Sequence, residues 1–186
     1  MAAIQEKYPG QELKIFFEDE GRFGLYTDIY RVWCKKGTRP IIAQQQIREY
    51  SYVVSAVCPL TGEVFPLTAA YLDTNVMNIF LQQVAEYYHS YLVVLFMDKA
   101  GWHIAKGLTV PANIHIEYLP PYSPELNPAE QLWKYLREHW TCNSSVNSLD
   151  KLEDIVIEGL NYLLKNPEIA KSFSNYTWIR DAKLCN

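Results

Sequence analysis

Three acidic residues of this 186-residue chain occupy positions from which a carboxylate could bind a metal ion. Asp19 and Asp98 each continue an apolar run of strand length, and Glu130 stands at a predicted helix start. A carboxylate that continues a buried face is costly unless it is paired or bound to a cation, and hard divalent cations prefer carboxylate oxygens. The pattern predicts a divalent-metal site. The alternative is that both aspartates mark only where strands reach water.

Glu130 is preceded by a stiff segment, 119–129, that contains four prolines. Each proline fixes its own φ and biases the preceding residue toward extended geometry, so the segment has few ways to place the residue that follows it. Asn127 followed by Pro128 is typical of a helix N-cap and first helical position. The spacing from Asn127 to Glu130 also fits a capping box, in which Glu130 bonds back to the N-cap backbone. A structural and a functional Glu130 are both open on these residues.

The elements that must position these acids follow from hydrophobic periodicity. Strands are predicted at 13–20, 21–30 after a turn, 50–57, 63–71, 91–98 and 114–119, so that Asp19 and Asp98 each end a strand. Helices are predicted from a cap at Asp73 or Thr74 to about Ser90, at 105–108, at 128–140, and from a cap at Asn147 or Ser148 through Leu163. The fold class is α/β, with an antiparallel meander of three strands followed by parallel strands, and with helices on the faces of the mixed sheet.

Length and composition predict one globular domain spanning residues 1–186. The sequence shows neither an apolar run long enough to span a bilayer nor a signal peptide, so we expect a cytoplasmic protein with no membrane partner. The cysteines lack metal-binding spacing and are expected to be free buried thiols; they are Cys34, Cys58, Cys142 and Cys185.

Charge is unevenly distributed along a chain whose net charge is −4. The segment 31–40 carries four basic residues and an indole but no acid, which suits contact with phosphates and stacking on a base. Its candidate DNA-binding residues are Arg31, Trp33, Lys35, Lys36 and Arg39. An ordinary solvated hairpin is the alternative interpretation.

Three blocks of the sequence resemble the three catalytic blocks of DDE transposases, in the same order. They are FEDEGRFGL at 17–25, FMDKAGWH at 96–103 and LPPYSPELNPAEQLW at 119–133. The resemblance is to the bacterial insertion-sequence branch of the mariner superfamily, and it extends from Leu13 to about Leu164. Glu130 lies 32 positions after Asp98, which is inside the narrow range of that group.

This resemblance implies a ribonuclease-H-like fold in which Asp19, Asp98 and Glu130 are catalytic and hold two Mg²⁺ or Mn²⁺ ions. It implies phosphodiester cleavage at element ends and transfer of 3′-hydroxyls to target DNA. The implied partners are double-stranded DNA, a second copy of the chain and a helix-turn-helix region. We expect the chain to lack that region, which would come from a separate protein or from a reading frame joined to this one by frameshifting. Alternatives are a free-standing nuclease of the same fold and a non-catalytic remnant that acts as an assembly module.

Further DNA contacts are expected beside the three acids. Lys99 could contact the scissile phosphate or repel metal, and His103 matches a histidine of the family but could be structural. Trp102 could stack on a base or pack in the core. Lys134 and Arg137 follow Glu130 on one helix stripe, although Lys134 could instead pair with Glu130. Glu18 and Glu20 face away from Asp19 along the strand and are therefore left out of the predicted metal site.

Overall fold

A five-stranded mixed sheet, in the order β3-β2-β1-β4-β5, forms the centre of the molecule. The computed structural model describes residues 2–26, 33–39, 41, 46–142 and 146–181. The strands are β1 Leu13–Tyr26, β2 Gln46–Val57, β3 Val64–Ala69, β4 Leu92–Met97 and β5 Ile114–Tyr118. β1 pairs antiparallel with β2, which pairs antiparallel with β3, whereas β4 runs parallel to β1 and β5 parallel to β4. The predicted fold class is confirmed.

Helices cover both faces of the sheet. They are α1 Ala2–Lys7, α2 Thr74–Tyr87, α3 Glu130–Leu136, α4 Leu149–Lys165, α5 Pro167–Ser174 and α6 Thr177–Asp181. The predicted caps of α2 and α4 form, since Asp73 accepts from the Val76 N–H and Ser148 accepts from the Lys151 N–H. A π-helical turn, Arg137–Thr141, follows α3 directly.

Strand alternation divides the core into two clusters, one on each side of β1. Ile15 and Phe17 point to the face covered by α3, α4 and α5, whereas Phe16 points to the face covered by α2. β4 is buried on both faces, as its unbroken apolar run predicts. Residues one position apart on β1 are therefore separated by the full thickness of the sheet.

Two predictions for the first strand are wrong. No turn occurs at Gly21, because β1 continues through Tyr26 and pairs with β2 from Phe17 to Tyr26. Asp19 therefore lies in the middle of a 14-residue strand, opposite Ser55, and not at its end. The glycines permit close side-chain packing in the strand and do not make a turn.

The connection between β4 and β5 also differs from the prediction. Residues 105–108 form a turn closed by a Leu108 N–H bond to the Ala105 carbonyl, and not a short helix. Gly107 and Pro111 in this stretch are poor helix formers. Helices α1, α5 and α6 were not predicted.

The thiol prediction holds in part. Cys34, Cys58 and Cys142 are free, but only Cys58 is buried and Cys34 is exposed; Cys185 lies outside the described residues. Across the part of the chain that the structure covers, every helix is too short or too polar to cross a bilayer.

Candidate active site

Asp19 occupies the middle of the central strand, on the face that α3 covers. Its Oδ2 accepts a hydrogen bond from the indole Nε1 of Trp133 at 2.8 Å. The pKa of Asp19 is raised from 3.8 to about 7, mainly by burial and then by the neighbouring charge of Glu130, while the Trp133 hydrogen bond opposes the shift. The carboxylate is therefore held in a poorly solvated position beside a second acid.

Gly21 permits the close contact between α3 and β1. A Cβ atom at this residue would lie 2.5–2.9 Å from three carbons of the Trp133 ring. The missing side chain lets the indole lie flat against the strand, where its N–H reaches Asp19 two residues away. Gly21 and Trp133 together determine how close the start of α3 comes to Asp19.

Asp98 directly follows β4, the strand that pairs with β1. Its side chain is 61% exposed, and its Oδ1 accepts from the Ala100 N–H at 2.7 Å. The same oxygen lies 2.9 Å from Nδ1 of His103. These contacts hold one carboxylate oxygen of Asp98 from the protein side, and the carboxylate still faces solvent.

Glu130 is the first residue of α3, two positions after the predicted start at Pro128, because residues 128–129 form a turn and Ala129, not Asn127, is the N-cap. The predicted end at residue 140 is also wrong, since the π-helical turn replaces α3 after Leu136. Asn127 anchors this turn, because its Nδ2 donates to the Glu18 carbonyl on β1 at 2.8 Å and its Oδ1 accepts from the Ala129 N–H. The backbone N–H of Asn127 donates to the Pro124 carbonyl, so the capping-box bond to Glu130 does not form. Glu130 is thus left exposed beside the cleft.

The pKa of Glu130 is raised by partial burial, lowered by the charge of Arg137 and raised by the charge of Asp98. The net shift is upward, as it is for Asp19. At Glu130 the charge of Arg137 outweighs the repulsion from Asp98, so it is burial that keeps the net shift of its pKa upward.

The three predicted carboxylates line one cleft of about 410 Å³. Its far wall is the proline segment, where Tyr122 adopts a left-handed φ of 56° and is fully exposed at the rim. Lys99 also lines the cleft and is the single basic residue among the described residues that do so. The structure brings together Asp19, Asp98, Glu130 and Lys99.

The oxygen donors of this cleft fit divalent cations. Carboxylates from three elements line it, although their oxygens do not all lie within 4.8 Å of one another, and burial raises the pKa values of Asp19 and Glu130. Two acids that destabilise each other when ionised are stabilised by a bound cation. Among described residues, no ion pair joins Glu130 to Lys134, so Glu130 is not engaged by that lysine.

The other predicted DNA contacts lie outside the cleft. Lys134 is exposed on α3. The guanidinium of Arg137 lies 5.5 Å from the ring centroid of Phe23, and its Nη2 donates to the Arg22 carbonyl.

In the basic loop, Arg31 lies outside the described residues. Trp33, Lys35, Lys36 and Arg39 are all exposed, around a turn with Gly37 at a φ of 89°. A fully exposed indole beside these cations remains a candidate for nucleic-acid contact.

The expectation that His103 contacts DNA is wrong for this conformation, because its side chain is 1% exposed. Its Nδ1 contacts both the side chain and the backbone carbonyl of Asp98, and its own carbonyl accepts from the Tyr118 hydroxyl. Trp102 is partly buried and its Nε1 donates to Glu20, so its ring packs against the α2 side of the core. His103 and Trp102 thus belong to the loop that holds Asp98.

Two contacts of the site were not predicted from the sequence. Trp133 was assigned only to the apolar stripe of its helix, yet it donates to Asp19. Asn127 was expected to cap α3, and its bond to the β1 backbone was not foreseen. The available signal was an indole three residues after Glu130 together with a glycine two residues after Asp19.

Comparison with known proteins identifies the family. The model of the DDE superfamily endonuclease family matches residues 14–153. A protein of Sinorhizobium fredii (strain NBRC 101917 / NGR234), named uncharacterized protein y4pE/y4sA, is 34% identical over 130 residues, which are 69% of this chain and 96% of that protein.

Solved structures show the same fold. The Mos1 transposase paired-end complex with left transposon end matches 93% of this chain and 58% of that chain, with a TM-score of 0.55 and 11% identity. The Mos1 mariner paired-end complex with Mn matches 94% of this chain and 60% of that chain, with a TM-score of 0.54 and 14% identity. The chain thus spans about three fifths of the Mos1 chains. It belongs to the DDE superfamily endonuclease family and has the ribonuclease-H-like fold of a DDE transposase catalytic domain.

Proposed function

We propose that this chain is the catalytic domain of a DNA transposase that cleaves phosphodiester bonds at element ends and transfers 3′-hydroxyls to target DNA. The observation that carries this proposal is the convergence of Asp19, Asp98 and Glu130 on one cleft. The family match supports phosphodiester cleavage, and similar folds occur in structures of Mos1 transposase complexes.

In this proposal the three carboxylates hold two Mg²⁺ or Mn²⁺ ions. Bound divalent cations supply activation of a water or a DNA 3′-hydroxyl and stabilisation of the leaving oxygen. Asp19 provides the most rigid oxygen donors, since it lies within β1 and is bonded to Trp133. Asp98 and Glu130 lie at the ends of their elements and complete the cation site from two sides.

Basic and aromatic residues around the cleft position the DNA. Lys99 lines the cleft and places its ammonium group where it can neutralise a scissile phosphate. Lys134, Arg137 and the exposed loop residues Trp33, Lys35, Lys36 and Arg39 extend the contact along the duplex. We further propose that a helix-turn-helix region outside residues 1–186 recognises the element ends, and that two copies act together.

Cleavage of supercoiled plasmid tests the nuclease part without knowledge of the element ends. We expect nicking that requires Mg²⁺ or Mn²⁺ and that falls by at least ~100-fold in Asp19→Asn, Asp98→Asn and Glu130→Gln, because each removes a charged cation donor. Glu125→Gln is the matched control, since Glu125 is an exposed acid of the same proline segment but does not line the cleft.

The products separate transposition from the alternatives. Joining of a labelled 3′-hydroxyl end to plasmid, by the chain fused to a helix-turn-helix region that recognises that end, supports a transposase. Nicking without joining in the same assay supports a free-standing nuclease. Nicking that persists in Asp98→Asn contradicts the assignment of Asp98, and failure to bind Mg²⁺ or Mn²⁺ at millimolar concentration supports a non-catalytic module.

A further inference from the structure

A second cluster of potential metal ligands lies on the α2 face of β1, across the sheet from the catalytic cleft. It consists of Glu18 and Glu20 on the strand and His103 in the loop after β4, with one ligand atom from each within 4.8 Å of the others. Nε2 of His103 lies 3.0 Å from Oε1 of Glu20 and 3.4 Å from Oε2 of Glu18. Asp19 separates the two glutamates in sequence but faces the opposite side.

Glu18 is the unusual member of this cluster. Its side chain is 0% exposed, and neither carboxylate oxygen forms a hydrogen bond. Nε2 of His103 is equally buried, and the carboxylates that it faces at ion-pair distance are those of Glu18 and Glu20. Buried carboxylates without partners cost several kcal/mol, and such groups in proteins are normally paired or coordinate a metal. Glu18, Glu20 and His103 therefore bring three potential metal-ligand atoms together at a buried position.

The far side of the imidazole supports the same conclusion. Nδ1 of His103 lies 3.0 Å from the Asp98 carbonyl and 2.9 Å from the Asp98 carboxylate, both of which can only accept a hydrogen. Nδ1 therefore carries a proton, and a metal ion bound at Nε2 would take the place of any proton that Nε2 shares with the two glutamates. A histidine that binds a metal almost always donates its other ring N–H to a carboxylate or a backbone carbonyl.

Glu20 has a comparable supporting contact. Its Oε1 accepts a hydrogen bond from the indole Nε1 of Trp102. Carboxylates that bind metals are generally held in place by such bonds. The ligand spacing also fits, because a tetrahedral ion with bonds of about 2.0–2.1 Å separates its ligands by roughly 3.3–3.4 Å.

We propose that Glu18, Glu20 and His103 bind one divalent transition-metal ion, of the Zn²⁺ class, at a site distinct from the catalytic cleft. Imidazole with carboxylate ligands suits Zn²⁺, whereas Mg²⁺ prefers oxygen alone. The ion would link the middle of β1 to the loop that carries Asp98, and so would hold that loop from the α2 face of the sheet.

The test uses the purified chain carrying Asp19→Asn and Glu130→Gln, which removes two of the three proposed catalytic carboxylates and leaves Asp98 and the second cluster intact. After chelator treatment, one equivalent of Zn²⁺ is added and its coordination is read by X-ray absorption spectroscopy. We expect outer-shell scattering from one imidazole, a signal that a shell made only of carboxylates cannot give. Competition with a chromophoric chelator is expected to show sub-micromolar affinity.

Glu18→Gln in this background is expected to weaken Zn²⁺ binding by at least ~10-fold and to reduce the imidazole signal. His115→Gln is the matched control, because His115 also lies 3.0 Å from a glutamate, Glu117. His115 is partly exposed, and among the described residues it does not form a group of three potential metal ligands. Circular dichroism checks that each variant is folded. If Glu18→Gln does not fold, Glu20→Gln replaces it with the same expected loss.

Three results would overturn the proposal. They are Zn²⁺ affinity weaker than ~10 μM in the double variant, a coordination shell without imidazole, and unchanged binding in a folded Glu18→Gln protein. Because the double variant lacks Asp19 and Glu130 and is not used to measure plasmid nicking, the second site and the nuclease activity are tested separately.

Discussion

The indole N–H of Trp133 donates to Asp19 at 2.8 Å and joins the first turn of α3 to the middle of β1. Trp133 is buried, and it lies three residues after Glu130 on the same helix. One side chain thus couples the positions of two of the three proposed cation ligands. The relationship explains why an aromatic residue stands at this point of the helix.

Trp133→Phe is expected to lower nicking by roughly 10- to 100-fold, because a hydrogen bond to a charged group contributes about 1.5–3 kcal/mol. Most of the ring packing is kept, so the fold should persist. The measurement is plasmid nicking at saturating Mg²⁺ beside thermal unfolding. Trp140→Phe is the control, since its buried indole nitrogen lacks a hydrogen-bond partner. Equal activity in the two variants would contradict a role for the Trp133 bond.

Gly21→Ala is expected to destabilise the protein by about 1–3 kcal/mol, because the added methyl group would overlap the Trp133 ring. Displacement of the indole should also reduce nicking. Gly101→Ala is the matched control, since a Cβ there meets no atom within 4 Å. Denaturant unfolding compares the two substitutions, and a Gly21→Ala protein as stable as Gly101→Ala would show that the contact is not tight.

Stability of the metal-free protein should fall as pH rises from about 4 to about 7. The pKa of Asp19 rises on folding from 3.8 to about 7, so the folded state binds more protons than the unfolded state across this interval. The stabilisation is therefore complete below the unfolded value and lost as pH passes the folded value. The raised pKa values of Glu18 and Glu130 act in the same direction.

Asp19→Asn should accordingly stabilise the metal-free protein by up to about 4 kcal/mol at pH 8 and have little effect at pH 4. The check is denaturant unfolding in chelator at both pH values, with Glu125→Gln as the control. A gain of equal size at both pH values would show that the effect is unrelated to ionisation.

Lys99→Gln distinguishes phosphate binding from repulsion of metal. If Lys99 contacts a phosphate, as we propose, DNA affinity falls, the salt dependence of binding decreases by about one ion, and Mg²⁺ affinity stays the same or rises. Fluorescence anisotropy with short duplex DNA and metal titration by calorimetry separate the two effects. Unchanged DNA affinity with tighter Mg²⁺ binding would instead support simple repulsion.

The basic loop should contribute affinity without sequence preference. Replacing Lys35 and Lys36 with alanine is expected to reduce the salt dependence of DNA binding by about two ions, since each removes one phosphate contact. Lys151→Ala on α4 serves as the control for loss of an exposed lysine. If the wild-type protein, the Lys35/Lys36 double variant and Lys151→Ala all showed the same salt dependence, the basic loop would not contact DNA.

The sequence predicted those elements whose pattern is local. The unbroken apolar run of β4 and the Asp73 cap of α2 are properties of neighbouring residues, and both were predicted correctly. The sequence predicts a turn at Gly21, because nothing near it in the chain shows that it packs against Trp133, which lies 112 positions away. A contact of that range leaves no periodic signal.

The site shows the same division. The three sequence blocks at 17–25, 96–103 and 119–133 predicted Asp19, Asp98 and Glu130, and these residues line one cleft. The burial of His103 was not predicted, because it depends on how the loop after β4 folds back on β1. That loop carries no periodic apolar pattern. Its conformation is determined by tertiary contacts such as the bond from the Tyr118 hydroxyl to the His103 carbonyl.

The position of Asp19 within β1 has a consequence for motion at the site. The strand is hydrogen-bonded to β2 through Asp19, so the backbone there should exchange its amide hydrogens only on global unfolding. Asp98 lies in the loop after β4, and Glu130 follows the proline segment, which contains a short 3₁₀ helix at Pro124–Leu126. The loop and the proline segment can both shift without breaking the sheet. Any widening or narrowing of the cleft must therefore come from those two segments, while Asp19 keeps its position in the sheet.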